Sequence, residues 1–454
     1  MVMKQHDIVV IGAGLTGLSV AFHLKKMGCD VIVLEKESRI GGQIRTYTEE
    51  GFTFESGPNT GVISFPEVAE LFQSLSDKCQ LEIARDSSKR RLIWKGKRFH
   101  ALPSSLMGGI TTPLFRLSDK FRILGEPWRK QGNDPDESVG ALAQRRLGRS
   151  FYEYAVDPFV SGVYAGDPMK LTTRYALPKL YNLEATYGSF IRGSIAKAKE
   201  KKSERDKLAT KKVFSAVGGL QQMVDAMSQE LDITTGATHV TVEPQEDGSW
   251  LVNYQGGESI HCSQVVTTVG AYALPQLLPF VEKELMQKIS NLFYAPIIQV
   301  VVGVKDARGM ECPAFGGLVP HKEHQRVLGI LFPSSCFGGR APEGGALYSY
   351  FIGGARHTEY MQKTDEEIRE IVLDAFHRML KYPADSQPDL IRIFRHERAI
   401  PQYWSNSGER FEAIDYLQQK YPGLTLAGNM RDGIGMGHRI HQGAEVARII
   451  GCKA

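Results

Sequence analysis

Residues 7–17 read DIVVIGAGLTG, where a short run of mostly β-branched apolar residues passes directly into a glycine-rich turn. The apolar part, 7–11, predicts a buried β-strand. A helix is predicted from about Leu15 to Met27, and Val31 to Leu34 predicts a second buried strand. The order of strand, turn, helix and strand is that of one βαβ unit.

The glycines and one acid in this unit are placed as a dinucleotide requires. Gly12 permits the tight turn, Gly14 lets the backbone approach a pyrophosphate, and Gly17 allows close packing of helix and strand. The helix N-terminus favours phosphate charge. Glu35, 18 residues after Gly17, is placed to accept ribose hydroxyls and to repel the extra phosphate of NADP. The sequence therefore predicts a Rossmann-type site. The residues predicted to bind the cofactor there are Gly12, Ala13, Gly14, Leu15, Thr16, Gly17, Glu35 and Lys36.

Length and composition restrict the class of protein. With 454 residues the chain is too long for one small core, so two or three domains are expected. The formal net charge of +4 is too mild to indicate a nucleic-acid partner. No apolar run is long enough to span a bilayer, and the start of the chain does not have the form of a secretory signal. The six cysteines form no CxxC pair, which favours a reducing compartment and argues against a disulfide framework. We therefore expect a cytoplasmic protein.

The segment after Glu35, residues 36–46, reads KESRIGGQIRT. It resembles the second glycine motif of the FAD-containing amine oxidase superfamily, usually GGRxxT or GGRxxS, although Gln43 stands where that superfamily often has Arg. Residues 424–437 and the strand 238–242 are similar to flavin-contacting parts of the same superfamily. The resemblance implies FAD, held noncovalently because the motif for attachment through cysteine is absent. The FAD contacts that it implies are Gly41, Gly42, Gln43, Val242, Gly428, Asn429, Gly433, Ile434, Gly435 and Met436.

Three more stretches carry a narrower resemblance. They are residues 54–58, FESGP, residues 95–103, KGKRFHALP, and residues 159–167, FVSGVYAGD. These stretches are similar to the FESGP, G…HALP and RGVFAG segments of the protoporphyrinogen oxidase family, which includes the coproporphyrinogen oxidases of Gram-positive type. Ser161 and Tyr164 depart from the last pattern. The order and spacing agree, so the resemblance covers essentially the whole chain.

The same resemblance implies residues for both ligands. Beside the flavin it implies Gly57, Pro58, Asn59 and Thr60, and at the substrate Arg91, Gly162, Phe315, Leu318 and Phe351. Arg91 stands where the family pairs an arginine with a substrate propionate, and Gly162 stands where a glycine carbonyl faces the pyrrole N–H groups. The three apolar residues stand where the family encloses the macrocycle or approaches the flavin. The alternatives are ordinary core packing for these three and a surface arginine for Arg91.

The expected reaction is FAD-dependent oxidation of protoporphyrinogen IX to protoporphyrin IX, late in haem synthesis. In the family, a meso carbon gives hydride to flavin N5 in each of three two-electron cycles, with O2 or a quinone as the electron acceptor. No protein acid or base is needed, so no catalytic side chain is predicted. Three alternatives stay open: oxidation of coproporphyrinogen III to coproporphyrin III, an FAD amine oxidase, and a catalytically silent flavin-binding partner protein.

Two histidines near the C-terminus raise the question of a metal. His438 and His441 lie three residues apart, and a helix predicted from about Ile440 to Ile450 starts between them. Such a pair can share one helix face, but the sequence offers no evident third ligand and the family has no histidine there. No metal site is therefore predicted.

The expected fold class is α/β, with a discontinuous Rossmann-type domain. The predicted parts are the FAD-binding domain (1–84, 206–285 and 406–454), a helical subdomain (85–205) and a mixed-sheet substrate domain (286–405). The segment 102–124 mixes apolar and basic residues. That pattern suits either a peripheral contact with the inner face of the cell membrane or an ordinary helical layer. A homodimer is also left open.

Overall fold

A computed structural model gives the fold and describes residues 4–104, 106–257 and 259–451. The strands, in chain order, are β1 Lys4–Gln5, β2 Ile8–Ile11, β3 Val31–Glu35, β4 Thr46–Glu49, β5 Phe52–Glu55, β6 Gly61–Val62, β7 Leu81–Ile83, β8 Arg91–Lys95, β9 Arg98–Ala101, β10 Val213–Ala216, β11 Asp232–Thr235, β12 Thr238–Pro244, β13 Trp250–Gln255, β14 Ile260–Cys262, β15 Gln264–Thr267, β16 Tyr294–Val304, β17 Gly316–Leu318, β18 Gly329–Leu331, β19 Ala346–Gly353, β20 Leu390–Pro401 and β21 Leu424–Leu426. The α-helices are α1 Leu15–Lys26, α2 Pro66–Ser74, α3 Leu106–Thr111, α4 Leu117–Leu124, α5 Val139–Leu147, α6 Arg149–Phe151, α7 Asp157–Tyr164, α8 Thr173–Ala176, α9 Pro178–Tyr187, α10 Phe190–Lys199, α11 Glu204–Lys207, α12 Gln221–Ser228, α13 Leu274–Leu277, α14 Lys283–Ser290, α15 Pro333–Cys336, α16 Asp365–Met379, α17 Ser407–Lys420 and α18 Met436–Gly451. A π-helical turn, Tyr152–Val156, precedes α7.

The first core is a five-stranded parallel sheet in the order β11-β3-β2-β15-β21. Strand β2 is buried along its whole length because both faces of the sheet are covered. Helices α1, α12 and α18 pack on one face, and the four-stranded sheet β1-β14-β13-β12 packs on the other together with α13 and α17. The parallel order brings the carboxyl ends of all five strands to one edge, which is where ligands bind in such sheets. The predicted βαβ unit is present as β2, α1 and β3.

The second core is a seven-stranded sheet in the order β20-β16-β19-β18-β17-β8-β9. Its neighbouring strands are antiparallel except for β17 and β8, which are parallel. Tyr348 and Tyr350 of β19 face α16, whereas Leu347 packs against Phe52 and Phe54 on the opposite face. One face of the sheet is therefore closed by α16, and the other faces the segment that leads to Gly57.

The helical character of residues 85–205 begins later than the sequence analysis expected. Strands β8 and β9 belong to the seven-stranded sheet, and the helices of this region start only after Pro103. Leu92 and Trp94 pack into the core beneath α16, while Ile93 packs on the opposite face. This period of two residues fits a strand and not a helix.

The C-terminal helix begins earlier than expected. Helix α18 starts at Met436 and not near Ile440, so Gly437 lies inside it. A Cβ on Gly437 would lie 2.8 Å from the carbonyl oxygen of Val62, so the glycine allows the helix to approach β6. Farther along, Gly443 packs on Ser19 of α1, whose hydroxyl donates to the carbonyl of Ile440 at 3.0 Å. Among the described residues, no helix combines the length and apolar character needed to cross a bilayer.

Candidate functional site

The glycine turn between β2 and α1 has the shape expected of a phosphate cradle. Gly12 has a φ of +102°, which favours glycine. A Cβ on Gly17 would lie 1.9 Å from the carbonyl oxygen of Gly12, so helix and turn touch through their backbones. A Cβ on Gly14 would meet no atom within 4 Å, and no side chain caps the helix at this position. The N-terminus of α1 therefore presents uncapped N–H groups to open space, which fits a bound pyrophosphate.

Glu35 lies beneath this turn at the end of β3. Its side chain is buried, with one carboxylate oxygen accepting from the N–H of Ala13 at 2.7 Å and the other from the N–H of Glu37 at 2.9 Å. A carboxylate has further lone pairs, so these bonds orient Glu35 and leave acceptor capacity for ribose hydroxyls. Lys36, by contrast, is exposed and pairs with Glu37 at 3.4 Å.

The second glycine motif contacts the first. The N–H of Gly41 donates to the carbonyl of Ala13 at 2.8 Å, and a Cβ on Gly42 would lie 3.2 Å from Cα of Gly14. Arg39 donates to the carbonyl of Gly42 at 2.7 Å and closes the loop. Gln43 points toward the second sheet, where its amide donates to the carbonyl of Arg398 at 3.2 Å. The sequence analysis missed Arg39, although it precedes the glycine pair by two residues.

The C-terminal glycine cluster reaches the same edge through Thr268. The Thr268 hydroxyl contacts the carbonyls of Ile11 and Gly12, each at 3.1 Å, and a Cβ on Gly428 would lie 2.8 Å from the Thr268 carbonyl oxygen. Strand β15 lies between β2 and β21, so Thr268 joins the two turns that follow them. Thr268 was not predicted, although a polar residue directly after a buried parallel strand is a usable signal.

The turn after β21 continues into α18. Gly433 has a φ of +93°, and Met436 opens the helix with its methyl carbon 3.0 Å from where a Cβ on Gly61 would lie. Gly61 directly follows the predicted flavin segment 57–60. Asn429, near the start of the turn, is held by the Tyr403 hydroxyl, which donates to its carbonyl at 2.7 Å. The structure therefore brings the C-terminal turn, 433–436, next to the FESGP segment.

Three polar side chains of the seven-stranded sheet hold the FESGP segment. Gln299 donates to the carbonyl of Glu55 at 2.7 Å, and His396 donates to the carbonyl of Ser56 at 2.6 Å. The Ser349 hydroxyl donates to the side-chain oxygen of Asn59 at 3.0 Å. None of the three was predicted, and a glutamine such as Gln299 within an otherwise apolar strand is a signal for such a contact.

Val242 is the predicted cofactor contact that lies farthest from these turns. It is fully buried in the core between the parallel sheet and the four-stranded sheet, opposite Val252 of β13. The residue just before β12, Ala237, contacts the predicted cofactor site: its N–H donates to the carbonyl of Glu35 at 2.9 Å. The structure thus brings the start of β12, rather than the Val242 side chain, next to Glu35.

Two of the predicted substrate residues, Leu318 and Phe351, lie on the face of the seven-stranded sheet that is turned away from α16. Leu318 pairs with Ile93 and Gly329, and Gly329 pairs with Phe351. Directly opposed residues point to the same face, so Leu318 and Phe351 share one row. A Cβ on Gly162 of α7 would lie 2.3 Å from a methyl carbon of Leu318, which places α7 directly against that row.

The row of Leu318 and Phe351 is called the substrate wall below. Arg91 lies at one end of it. It is exposed, opposes Gly316 and is two residues before Ile93, so its side chain leaves β8 on the same face. The guanidinium lies 5.0 Å from the centre of the Phe315 ring. Phe315 packs beside Cys336 and Phe337, and Leu318 packs beside Ile93 and Leu114.

Phe351 links the substrate wall to the FESGP segment. Gln299 is directly opposite Phe351 in the sheet, and Ser349 precedes Phe351 by two residues on the same face. Both of these neighbours bond the FESGP segment. The structure thus brings the predicted flavin and substrate residues to one boundary between the two sheets.

A buried ion-pair cluster, which was not predicted, holds α7 in place. Arg356 contacts Asp157 at 2.6 Å, two residues before the FVSGVYAGD stretch, and Asp167 at 2.9 Å, the last residue of that stretch. The N–H of His321 also donates to Asp157 at 2.8 Å. Although desolvation raises the pKa of Asp167, hydrogen bonds from Arg356 and from the N–H of Met169 hold it below its ordinary value. Asp157 and Asp167 could have been singled out as acids within an apolar helical stretch.

Comparison with known proteins agrees with this geometry. Residues 15–450 match the model of the family described as flavin containing amine oxidoreductase. The chain is 30% identical to the mitochondrial protoporphyrinogen oxidase of Nicotiana tabacum, over 98% of this chain and 94% of the relative. It is 25% identical to the coproporphyrinogen III oxidase of Bacillus subtilis, over 97% of this chain and 96% of the relative. A crystal structure from Exiguobacterium sp. 255-15, provisionally named protoporphyrinogen oxidase, superposes with a TM-score of 0.81 at 21% identity, over 100% of both chains.

Two glycine substitutions separate folding from cofactor binding. We expect Gly17→Ala to lower the stability of the cofactor-free protein by about 1–3 kcal/mol, because its methyl group collides with the Gly12 carbonyl. Gly14→Ala should leave that stability within about 0.5 kcal/mol, because its methyl group meets open space. It should nevertheless weaken FAD binding by about tenfold or more, or ~1.4 kcal/mol, because the pyrophosphate must approach that backbone. Urea unfolding and FAD titration measure the two effects, and unchanged FAD affinity in Gly14→Ala would contradict the assignment.

Proposed function

The chain belongs to the family of flavin-containing amine oxidoreductases and is an FAD-dependent oxidoreductase, and from that premise we propose that it oxidises protoporphyrinogen IX to protoporphyrin IX. The resemblance to the protoporphyrinogen oxidase family that the sequence motifs carried is confirmed by relatives of that name that match nearly the whole chain. The predicted FAD is confirmed in the same way. The finer substrate assignment rests on the names of those relatives and on the wall that carries Arg91.

The observation that supports the proposal most is the composition of this wall. Leu318 and Phe351 share an apolar row of the kind a flat macrocycle needs, and Arg91 leaves the same face beside the ring of Phe315. An apolar cavity does not hold a carboxylate without a partner, and a guanidinium binds carboxylate bidentately. Among the described residues, no acidic side chain pairs with Arg91, so its charge is available for a propionate.

The proposed mechanism requires positioning and no acid or base from a side chain. Bound FAD would supply a two-electron oxidant, so that the substrate would lose a hydride equivalent and a pyrrole proton in each of three cycles. The residues Gly57–Thr60 would hold the cofactor beside the row that carries Phe351. In this proposal the Gly162 carbonyl accepts a pyrrole N–H, the apolar row beside Gly162 excludes water, and Arg91 fixes the orientation of the ring through its propionate. O2 or a quinone is the proposed electron acceptor.

Coproporphyrinogen III is the second candidate substrate, and the relative from Bacillus subtilis supports it. A tetracarboxylate needs more cations along the wall than a dicarboxylate does. The next basic residue on the same face of β8 is Lys95, and its ammonium donates to the carbonyls of Pro113 at 2.6 Å and Leu114 at 3.1 Å. Because Lys95 is engaged there, Arg91 remains the available cation of β8, which favours the dicarboxylate. An exposed arginine on the wall also disfavours the ammonium substrates of amine oxidases.

A second part of the proposal is that the helical region docks on a bilayer surface. Leu117, Phe121 and Leu124 lie along one face of α4 and are exposed, and Phe121 retains 71% of its surface. Trp128, in the following turn, is 78% exposed. Arg116 beside this surface is exposed, whereas Lys120 and Arg122 donate to backbone carbonyls. An exposed apolar helix face with a neighbouring cation suits peripheral binding to an anionic membrane.

The function is tested by measuring both porphyrinogens side by side. We expect the purified flavoprotein to convert protoporphyrinogen IX to fluorescent porphyrin with a higher kcat/KM than coproporphyrinogen III. The flavin absorbance should bleach with substrate under nitrogen and return in air. Faster turnover of the tetracarboxylate would make coproporphyrinogen the substrate, and a flavin that neither porphyrinogen bleaches would leave only a non-catalytic role.

Arg91→Ala tests the propionate anchor. We expect the KM for protoporphyrinogen IX to rise by a factor equivalent to about 1.5–3 kcal/mol, because a charge-assisted pair is lost, while FAD content stays unchanged. Arg91→Lys should recover part of the loss, since an ammonium lacks the bidentate fork. Arg90→Ala is the matched control, because Arg90 precedes β8 and contributes its backbone carbonyl to the N–H of Phe315. Loss of affinity in Arg90→Ala alone would show that the anchor is misassigned.

Membrane docking is tested with a Phe121→Ser, Trp128→Ser variant. Each aromatic ring contributes about 1.5–3 kcal/mol when it leaves water, so the double variant should lose most sedimentation with anionic phospholipid vesicles. Tyr416→Ser is the control, because Tyr416 is exposed on α17, outside this surface. Equal sedimentation of all three proteins would exclude this surface as the docking site.

A further inference from the structure

We propose that Glu67, His441 and Glu445 form a binding site for one divalent transition-metal ion of the zinc class, between helices α2 and α18. The sequence alone offered no third ligand for a histidine in this region, and the fold supplies two carboxylates. His438, the other histidine considered there, is not part of the site. The inference does not depend on the identity of the substrate.

The three side chains have the geometry of a metal site. His441 and Glu445 are four residues apart in α18 and therefore share one face of the helix. Glu67 comes from the first turn of α2. The candidate ligand atoms all lie within 4.8 Å of one another, with Nδ1 of His441 and one Glu67 oxygen 3.1 Å apart. Zinc holds nitrogen and oxygen ligands at about 2.0–2.2 Å, so one ion can reach all three after small side-chain adjustments.

Two of these atoms are buried without a hydrogen-bond partner among the described residues. They are Oε2 of Glu67, a residue only 4% exposed, and Nδ1 of His441. The two atoms face each other at 3.1 Å in an ion-pair contact, and neither has any other hydrogen-bond partner among the described residues. Burying a carboxylate oxygen and an imidazole nitrogen without further hydrogen-bond partners costs free energy, and a cation bound to both atoms offsets that cost.

Neighbouring groups orient these ligands. Arg205 donates to the other Glu67 oxygen, Oε1, at 2.6 Å, so Oε2 stays directed at His441. The His441 ring stacks on Phe65 with centres 4.2 Å apart and planes 2° apart. Contacts of this kind hold ligands in place around protein metal ions. One imidazole with two carboxylates favours zinc and similar ions over calcium or magnesium, which prefer all-oxygen sites.

The position of the site indicates what the ion does. Helix α2 follows the flavin segment 57–60, and α18 follows the C-terminal turn 433–436. An ion bound between the two helices would therefore cross-link two chain segments that flank the predicted flavin pocket. Three protein ligands leave a position for water, and the expected role is to stabilise this junction.

The test uses the flavin-loaded protein after treatment with a chelating resin, titrated with zinc chloride by calorimetry. We expect one equivalent of zinc per chain and a zinc-dependent rise in Tm. His441→Asn and Glu445→Gln should each weaken zinc binding at least tenfold and abolish the rise in Tm. Metal-free Glu445→Gln should keep the wild-type Tm and FAD absorbance, because the Glu445 side chain is 40% exposed. Metal-free His441→Asn loses the contacts with Glu67 and Phe65, so its own metal-free Tm is the baseline for its zinc titration.

Glu70→Gln is the matched control. Glu70 also accepts from Arg205, at 2.6 Å, but its carboxylate is outside the cluster. Zinc affinity should therefore stay at the wild-type value in this variant. Absence of stoichiometric binding to the wild type, or equal affinity in the wild type and the His441 and Glu445 variants, would show that these residues form an ordinary ion pair. Equal losses in Glu70→Gln would also overturn the assignment.

Discussion

The backbone contact between Gly12 and Gly17 is the constraint on which the other features of the site depend. Because helix α1 touches the turn that precedes it, its N-terminus lies directly over the carboxyl end of β2. Short hydrogen bonds then fix three other segments of the chain relative to this turn. Glu35 and Gly41 bond Ala13, and Thr268 bonds the carbonyls of Ile11 and Gly12. A side chain at residue 17 would displace the helix and, with it, the turn to which all three segments are hydrogen-bonded.

The seven-stranded sheet has a different role, since it carries residues that hold the predicted flavin segment and predicted substrate residues on the same strands. Ser349 and Phe351 leave one face of β19 two residues apart, the first toward Asn59 and the second toward the apolar wall. The opposite face, with Tyr348 and Tyr350, is packed beneath α16. The spacing between the predicted flavin segment and the predicted substrate residues is therefore set by one short piece of a buried strand, which is among the stiffest parts of a protein.

The sequence predicted the βαβ unit because its signals are local. An apolar run, three glycines and an acid at a fixed spacing determine the turn, and the structure has strand, helix and strand within one or two residues of the expected bounds. Strands β8 and β9 were assigned to the helical subdomain because most of 85–205 has helical periodicity and because the sheet partner of β8, β17, is distant in sequence. Gln299, Ser349, His396 and Thr268 were missed because their partners are distant in sequence. The same reason concealed Glu67 as a neighbour of His441.

The strand order of the parallel sheet has a consequence for how the chain folds. Strand β2 is completed early in synthesis, yet its neighbour β15 pairs Gln264 with Ile8, and β21 pairs Leu424 with Val265. Pairings of such long range form slowly, because the entropy of closing large loops must be overcome before contacts form. Strand β2 therefore lacks its second neighbour until β15 has been synthesised, and β15 in turn lacks β21 until the last part of the chain leaves the ribosome. During that interval an unpaired apolar strand is exposed, and FAD or a chaperone that binds early would protect the nascent protein from aggregation.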